Sequence, residues 1–350
     1  MKSTPLTEAV ASVARIFGNS EFPGRSMQGE GWNALVVLGM HRSGTSAMSG
    51  ALAQLGVNFG DRLYRPQENV NEKGFFEHGP VVDLHDKLLQ YIGSSWDDPR
   101  PLSEDVFLDD SALAPFRHRL TKMVQRDFAG STIWGLKDPR ISRLLPLWKR
   151  IFSDLGIQSR YIIMVRSPLD VAASLSRRDG FAAEKSVFLW WQHMIESEAK
   201  TRNYRRVFVN YSDLLRDPSD LLGQLQAALR VSLPRTVESA KPDLDSFLVS
   251  SLRHHEGANI PIDADLRSQV MNAFGVYQRA GEIGDDVPID EFTNQEAGFH
   301  RYYASLSPIL RDHLSALSLQ CGKDQKLLDR YYSCVAVKFA KRLCAFKRRV

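Results

Sequence analysis

The stretch Ala34-Leu-Val-Val-Leu-Gly-Met-His-Arg-Ser-Gly-Thr-Ser-Ala47 constrains the architecture of this chain more than any other. Its apolar half is short, branched and uninterrupted, which predicts a strand buried on both faces. Two glycines then open a turn, and small residues begin a helix. Three further runs have the same apolar character, so the predicted strands are Ala34–Gly39, Ser131–Lys137, Arg160–Val165 and Arg206–Tyr211. Helical periodicity fills the spaces between them, as in Pro80–Ile92 and Ala112–Phe128. Strands alternating with helices predict an α/β fold with a parallel sheet flanked by helices in three layers. In such sheets ligands sit at the carboxyl ends of the strands. Here those ends carry the 39–46 turn, Lys137-Asp138, Arg166 and Tyr211.

The turn has the glycine spacing of a phosphate-binding loop, G-x-x-x-x-G-K-[ST], with Gly39 and Gly44 in place and Ser46 closing it. Thr45 stands where the lysine belongs, and Arg42 stands inside the loop. Free amides at the start of the following helix, with its positive dipole end, suit an anion. Arg42 adds a guanidinium able to grip an oxyanion with two hydrogen bonds. The missing lysine argues against an ATPase or kinase, in which that lysine reaches the β- and γ-phosphates.

A second anion site is predicted at Arg166-Ser-Pro-Leu-Asp-Val-Ala-Ala-Ser174. Ser167, Pro168 and Asp170 read as an ordinary helix start with a capping box. That leaves Arg166 at the strand end and Ser174 two turns into the helix, on the same face as Ser167.

Together "HRSGTS" and "VRSPLDVAAS" resemble the two signature elements of the sulfotransferase family. A third segment, Val209-Asn-Tyr-Ser-Asp-Leu-Leu-Arg-Asp-Pro218, is similar to that family's tyrosine-x-aspartate-leucine element, and the three matches cover about residues 34–218 in the expected order. The resemblance implies a P-loop-type fold and transfer of a sulfuryl group from 3′-phosphoadenosine-5′-phosphosulfate (PAPS) to a hydroxyl or amine, with no metal. It implies that Arg42, Ser43, Gly44, Thr45 and Ser46 cradle the 5′-phosphosulfate. Arg166 and Ser174 would hold the 3′-phosphate, and Tyr211 would lie by the adenine. Lys137, in "LKDP", resembles a lysine that stabilises the group in transfer in tyrosylprotein and related sulfotransferases. The resemblance is to a bacterial, carbohydrate or tyrosylprotein-type branch.

Three departures separate the chain from cytosolic, phenol-type members. Pro139 occupies the place of their catalytic histidine, Ala47 that of a tryptophan after the first loop, and no late basic-glycine motif is found. Arg253 is the substitute cation considered for that motif. The general base then falls within Asn69–His78, with Glu77 preferred and Glu72 and His78 as runners-up. Arg42, Lys137 and Glu77 are thus the candidate catalytic residues.

Composition bounds the remaining classes. A net charge of +4 in 350 residues gives no reason to expect nucleic acid, and suits a small anionic ligand. Cys321, Cys334 and Cys344 are odd in number and lack C-x-x-C spacing, which fits a reducing compartment. No secretory leader and no run of about eighteen apolar residues is present, so a soluble cytoplasmic protein is expected. Residues 1–33 read as an irregular leader, 34–235 as the α/β core, and 236–350 as a helical extension packed on the same domain. Within that extension Ala264–Gln278, Ser307–Leu319 and Lys323–Phe346 read as helices, and the acidic stretch Ala280–Ala297 as an exposed connection. The basic amphipathic run Val335–Val350 offers peripheral contact with the inner face of a membrane. Aromatic and acidic residues between Gly56 and Pro101 (Phe59, Tyr64, Phe75, Phe76, Trp96, Asp97 and Asp98) are read as lining an acceptor cleft. That mixture suits a carbohydrate or glycolipid hydroxyl. In Phe188–Glu198 one tryptophan is expected in the core and one at the cleft. A phosphate-loop small-molecule kinase and an inactive nucleotide-binding partner protein are the alternatives.

Overall fold

The computed structural model describes residues 32–66, 73–108, 110–248, 260–282 and 286–305. Strands β1 (Asn33–Leu38), β2 (Ile133–Lys137), β3 (Gln158–Val165) and β4 (Arg206–Asn210) form one parallel sheet in the order β2-β1-β3-β4. Eleven α-helices are described: α1 (Thr45–Gln54), α2 (Gly79–Tyr91), α3 (Asp110–Phe128), α4 (Ile141–Asp154), α5 (Pro168–Asp179) and α6 (Ala183–Ala199) precede β4 or flank it. After β4 come α7 (Tyr211–Arg216), α8 (Pro218–Leu229), α9 (Val237–Phe247), α10 (Ala264–Ala280) and α11 (Ile289–Ser305).

The sheet is apolar on both faces, and alternate residues feed two separate cores. From β1, Ala34, Val36 and Leu38 join one core with α2–α6, α10 and α11, while Leu35 and Val37 join the other with α1 and α7–α9. This two-sided burial is why the strands read as continuous apolar runs rather than alternating ones. The helices follow suit: α4 buries Ile141, Leu144, Leu145, Trp148, Ile151 and Phe152, one stripe at helical spacing. Helix α9 docks on α1 through Phe247, whose ring leaves no space for a Cβ at Gly50, 2.0 Å away.

Several expectations are corrected. The acidic stretch from Ala280 is not an exposed connection throughout, because α11 begins at Ile289 and buries Phe292, Gln295 and Phe299 on one face. Trp190 and Trp191 are both in the core. Ser167 occupies the N-cap of α5 but makes no side-chain capping bond, so the capping box does not form. The expected leader, apart from Trp32 and Asn33, lies outside the described residues, as do Glu72, Arg253 and the stretches 307–319, 323–346 and 335–350. Among the described residues no helix is long and apolar enough to cross a membrane.

Candidate active site

With strand order 2-1-3-4 the chain leaves β1 in opposite directions, and a crevice opens between the loops after β1 and β3. The register brings the strand ends level: Val37 lies beside Lys137, Leu38 beside Ile163, and Val165 beside Asn210. The loop after β1, Lys137, Arg166 and Tyr211 therefore share one edge of the sheet.

The first loop is shaped by unusual backbone conformations. Gly39, Arg42 and Gly44 all have positive φ, +135°, +69° and +91°. For arginine that conformation is uncommon and costs about 1 kcal/mol or more. Gly44 is the N-cap of α1, and a Cβ there would lie 2.3 Å from Tyr211 Cδ2. Only glycine allows the tyrosine ring to lie on the loop. Ser43 is fully buried, and its Oγ has no partner among the described residues. An orphaned buried hydroxyl beside the unsatisfied amides of a helix start fits an anion in the loop.

Arg42 and Arg166 meet across the crevice. Arg42 Nε donates to Ser174 Oγ at 2.7 Å, and Arg166 Nη1 donates to the Arg42 carbonyl at 3.0 Å. The Arg166 guanidinium also lies over the Tyr211 ring, 4.7 Å from its centroid. Burial lowers the proton affinity of both arginines, and Arg178 and Arg166 lower that of Arg42 further. Arg178 is paired with Asp179 and Asp170 acts on Arg166, yet burial and the neighbouring guanidiniums still lower both arginines, which makes a site that an anionic ligand stabilises. His41, next to Arg42, packs against Trp96 at 4.4 Å, and its Nε2 is buried without a partner among the described residues. Burial and the charges of Arg140 and Arg178 hold it well below the usual histidine range, so it is neutral.

Lys137 and Glu77 form the third part. Lys137 Nζ lies 2.5 Å from Glu77 Oε1, 3.1 Å from Ser46 Oγ and 3.1 Å from the Phe75 carbonyl. Both charged side chains are buried. Glu77 is held from both sides: its carbonyl accepts from Tyr64 N at 2.9 Å, and Phe76 before it adopts φ +54°. That left-handed turn sends the Phe75 carbonyl and the Glu77 carboxylate to the same ammonium. The Phe76 ring is fixed between Phe59 and Phe247 at 6.0 and 5.9 Å.

Residues 34–235 match the Sulfotransferase family. The chain belongs to that family. Among solved structures it is similar to the "Sulfotransferase Domain from the Curacin Biosynthetic Pathway", at 15% identity and TM-score 0.37, covering 69% of this chain and 96% of that one. It is also similar to the "Sulfotransferase Domain from the Synechococcus PCC 7002 Olefin Synthase", at 18% identity and TM-score 0.34, covering 79% and 96%. A search of the curated proteins finds no match.

The sulfotransferase fold thus brings Arg42, Ser43, Gly44, Thr45, Ser46, Arg166, Ser174 and Tyr211 to one crevice, with Lys137 and Glu77 joined to it through Ser46. It does not bring His78 there. That ring packs on Phe128, with Nε2 3.1 Å from Asp127 on α3. Phe59 is a core residue. Asp97 is paired with Lys185 at 2.7 Å and Asp98 with Arg100 at 2.7 Å. Of the residues read as a cleft, Tyr64 is exposed and bonds Asp83, whose neighbour one turn on, Asp86, pairs with Arg140.

Behind the site lies a buried network the sequence did not announce. Asp138 accepts from Arg140 and lies 2.7 Å from His85 Nδ1, while Trp148 Nε1 donates to His85 Nε2 at 2.8 Å. Because indole N–H only donates, His85 carries its proton on Nδ1 and gives it to Asp138. Arg140 and His85 outweigh burial and hold the Asp138 carboxyl well below the usual range. Arg143, also fully buried, donates to the carbonyls of Ser95, Asp98 and Arg100 and so fixes the loop carrying Trp96. Spacing offers no signal for it: Arg143 falls off the stripe of Ile141, Leu144, Leu145, Trp148, Ile151 and Phe152, and the loop it bonds is what buries it.

Proposed function

We propose that this sulfotransferase uses PAPS as donor and moves its sulfuryl group to an acceptor hydroxyl on a carbohydrate or glycolipid. The observation that carries the reading is the position of Lys137, in contact with Ser46 of the anion loop and with the Glu77 carboxylate at once. A cation for the group in transfer and a base for the attacking hydroxyl thereby stand side by side at the mouth of the loop.

The loop amides, Ser43 and Arg42 would bind the 5′-phosphosulfate, while Arg166 and Ser174 would bind the 3′-phosphate. In the transfer the acceptor oxygen forms a bond to sulfur as the bond from sulfur to the 5′-phosphate oxygen breaks. Lys137 stabilises the sulfuryl group in transfer, Arg42 stabilises the charge left on the nucleotide, and Glu77 takes the hydroxyl proton. For the acceptor, the support is a polar rim beside Glu77. Tyr64, Asp83 and Asp86 offer exposed or half-exposed oxygens of the kind that bind sugar hydroxyls. A glycolipid at the inner face of the membrane extends this reading from the basic C-terminal sequence, in a cytoplasmic protein.

The test is incubation of the purified full chain with ³⁵S-labelled PAPS, EDTA, and separate polysaccharide and glycolipid acceptors. Label on an acceptor hydroxyl in the presence of EDTA is expected. Transfer of phosphate from ATP that requires Mg²⁺ would instead make the chain a kinase, and binding without any transfer would make it an inactive partner protein.

A further inference from the structure

An ammonium has three N–H groups, and those of Lys137 are all engaged. They go to Ser46 Oγ, the Phe75 carbonyl and Glu77 Oε1, and the shortest contact, 2.5 Å, is to the carboxylate. The ammonium is buried, so water does not offer it a ready alternative. A ligand oxygen reaches Nζ only by displacing one of the three.

The three acceptors are not equally easy to displace. The Phe75 carbonyl is backbone, fixed by the left-handed turn at Phe76 and by the packing of that ring. It is fixed again from upstream, where Lys73 Nζ donates to the Ser246 carbonyl at 3.2 Å and to that of Phe247, at the end of α9. Ser46 is neutral and sits on the first turn of α1. Glu77 Oε1 is the anion of the set, carried on a side chain whose rotatable bonds allow it to turn where a backbone carbonyl is fixed. An incoming sulfuryl oxygen repels it and competes for the same proton.

We propose that Lys137 and Glu77 form a latch, closed without donor and opened by the sulfuryl end of the donor, which takes the place of the carboxylate on Nζ. The inference rests on the PAPS reading above. While the latch is closed, one Oε1 lone pair is committed to Lys137 and the carboxylate is held against the ammonium rather than turned to an acceptor hydroxyl. Opening it delivers the ammonium to the donor and the carboxylate to the acceptor in one exchange. Adenosine 3′,5′-bisphosphate, the product, has no sulfuryl group to open the latch. Glu77 is therefore a determinant of donor-over-product discrimination as well as a candidate base.

Calorimetry with PAPS and with adenosine 3′,5′-bisphosphate, without acceptor, tests this on the full chain. Glu77→Gln keeps the shape of the side chain, and Glu77→Ala removes the latch outright. Both are expected to tighten PAPS about tenfold, the scale of one charge-assisted hydrogen bond, and to leave the bisphosphate within about twofold. The gain is expected to vanish in a Lys137→Met background. A gain that persists there is simple relief of charge repulsion and overturns the latch. Equal gains for both ligands, or none for either, overturn it too. If the unaltered chain binds neither ligand, the donor reading falls and the latch with it.

Discussion

Arg42 donates to Ser174 at 2.7 Å across 132 residues of sequence, joining the loop after β1 to the helix after β3. Arg166 returns the contact through the Arg42 carbonyl, so the two proposed anion sites share their framework. Arg166→Ala therefore has two effects. It loosens the first loop slightly for any ligand, and it removes the cation assigned to the 3′-phosphate. Adenosine 3′,5′-bisphosphate is expected to lose between about tenfold and hundredfold in affinity, the value of a charge-assisted contact. AMP, without that phosphate, is expected to lose only a few-fold. Equal losses in calorimetry would move the 3′-phosphate elsewhere.

Gly44→Ala attacks the same framework through the backbone. The position has φ +91°, and a Cβ would lie 2.3 Å from Tyr211 Cδ2. Left-handed strain alone costs about 1 kcal/mol, and the ring must move as well. Bisphosphate affinity is expected to fall at least about tenfold. Gly130→Ala is the control, since a Cβ at Gly130 meets nothing within 4 Å. If both variants bind as the parent does, the loop is not the ligand's seat.

Most of the crevice was legible because its parts lie where strands end. A buried strand announces itself by its apolar run, and the residues just after it stand at the edge of the sheet by necessity. Arg42, Lys137, Arg166 and Tyr211 were all found that way, and register then made them neighbours. Glu77 was harder, because its place depends on the turn at Phe76 and a bridge between Leu63 and His78, neither of which has a periodic pattern. Asp138–His85–Trp148 and Arg143 were missed for a related reason. Their partners come from residues about fifty positions away, and a buried charge looks in sequence like a surface one. The acidic start of α11 misled in the opposite sense: Asp290 and Glu291 lie in its first turn, where acids suit the helix dipole.

Arg143 offers a test of how the Trp96 loop is held. Its guanidinium is buried and supplies three carbonyls, of Ser95, Asp98 and Arg100, with donors. Arg143→Met fills the space but removes a charged donor from all three oxygens, leaving the Arg100 carbonyl to Gln192 and the Ser95 carbonyl to the Asp98 amide, at a cost of about 3 kcal/mol in chemical denaturation. Trp96 packs on His41, so the loop's displacement is also expected to raise the acceptor KM more than it lowers kcat. Arg117→Met, which breaks an exposed pair with Asp154, is expected to cost no more than about 1 kcal/mol. Similar losses from the two variants would show that Arg143 is not a keystone of the loop.

The acid sensitivity of the fold has an identifiable source in α6. His193 is fully buried, with Nδ1 2.8 Å from the Leu189 carbonyl, and burial pushes it down to about 4. Arg143 and Lys200 act in the same direction, while Glu196 and the Leu189 carbonyl oppose them. Between about pH 6.5 and 4 the unfolded chain binds a proton that the folded chain refuses, so stability falls as pH falls through that window. The loss reaches at most about 3 kcal/mol and levels off below the lower limit. His193→Gln cannot take up the proton, and its melting temperature is expected to depend less steeply on pH across the window. Some slope is expected to remain, because His41 and His78 are also held low by burial. An unchanged slope in the variant, measured by melts from pH 7 to 4, would assign the sensitivity to those two rings instead.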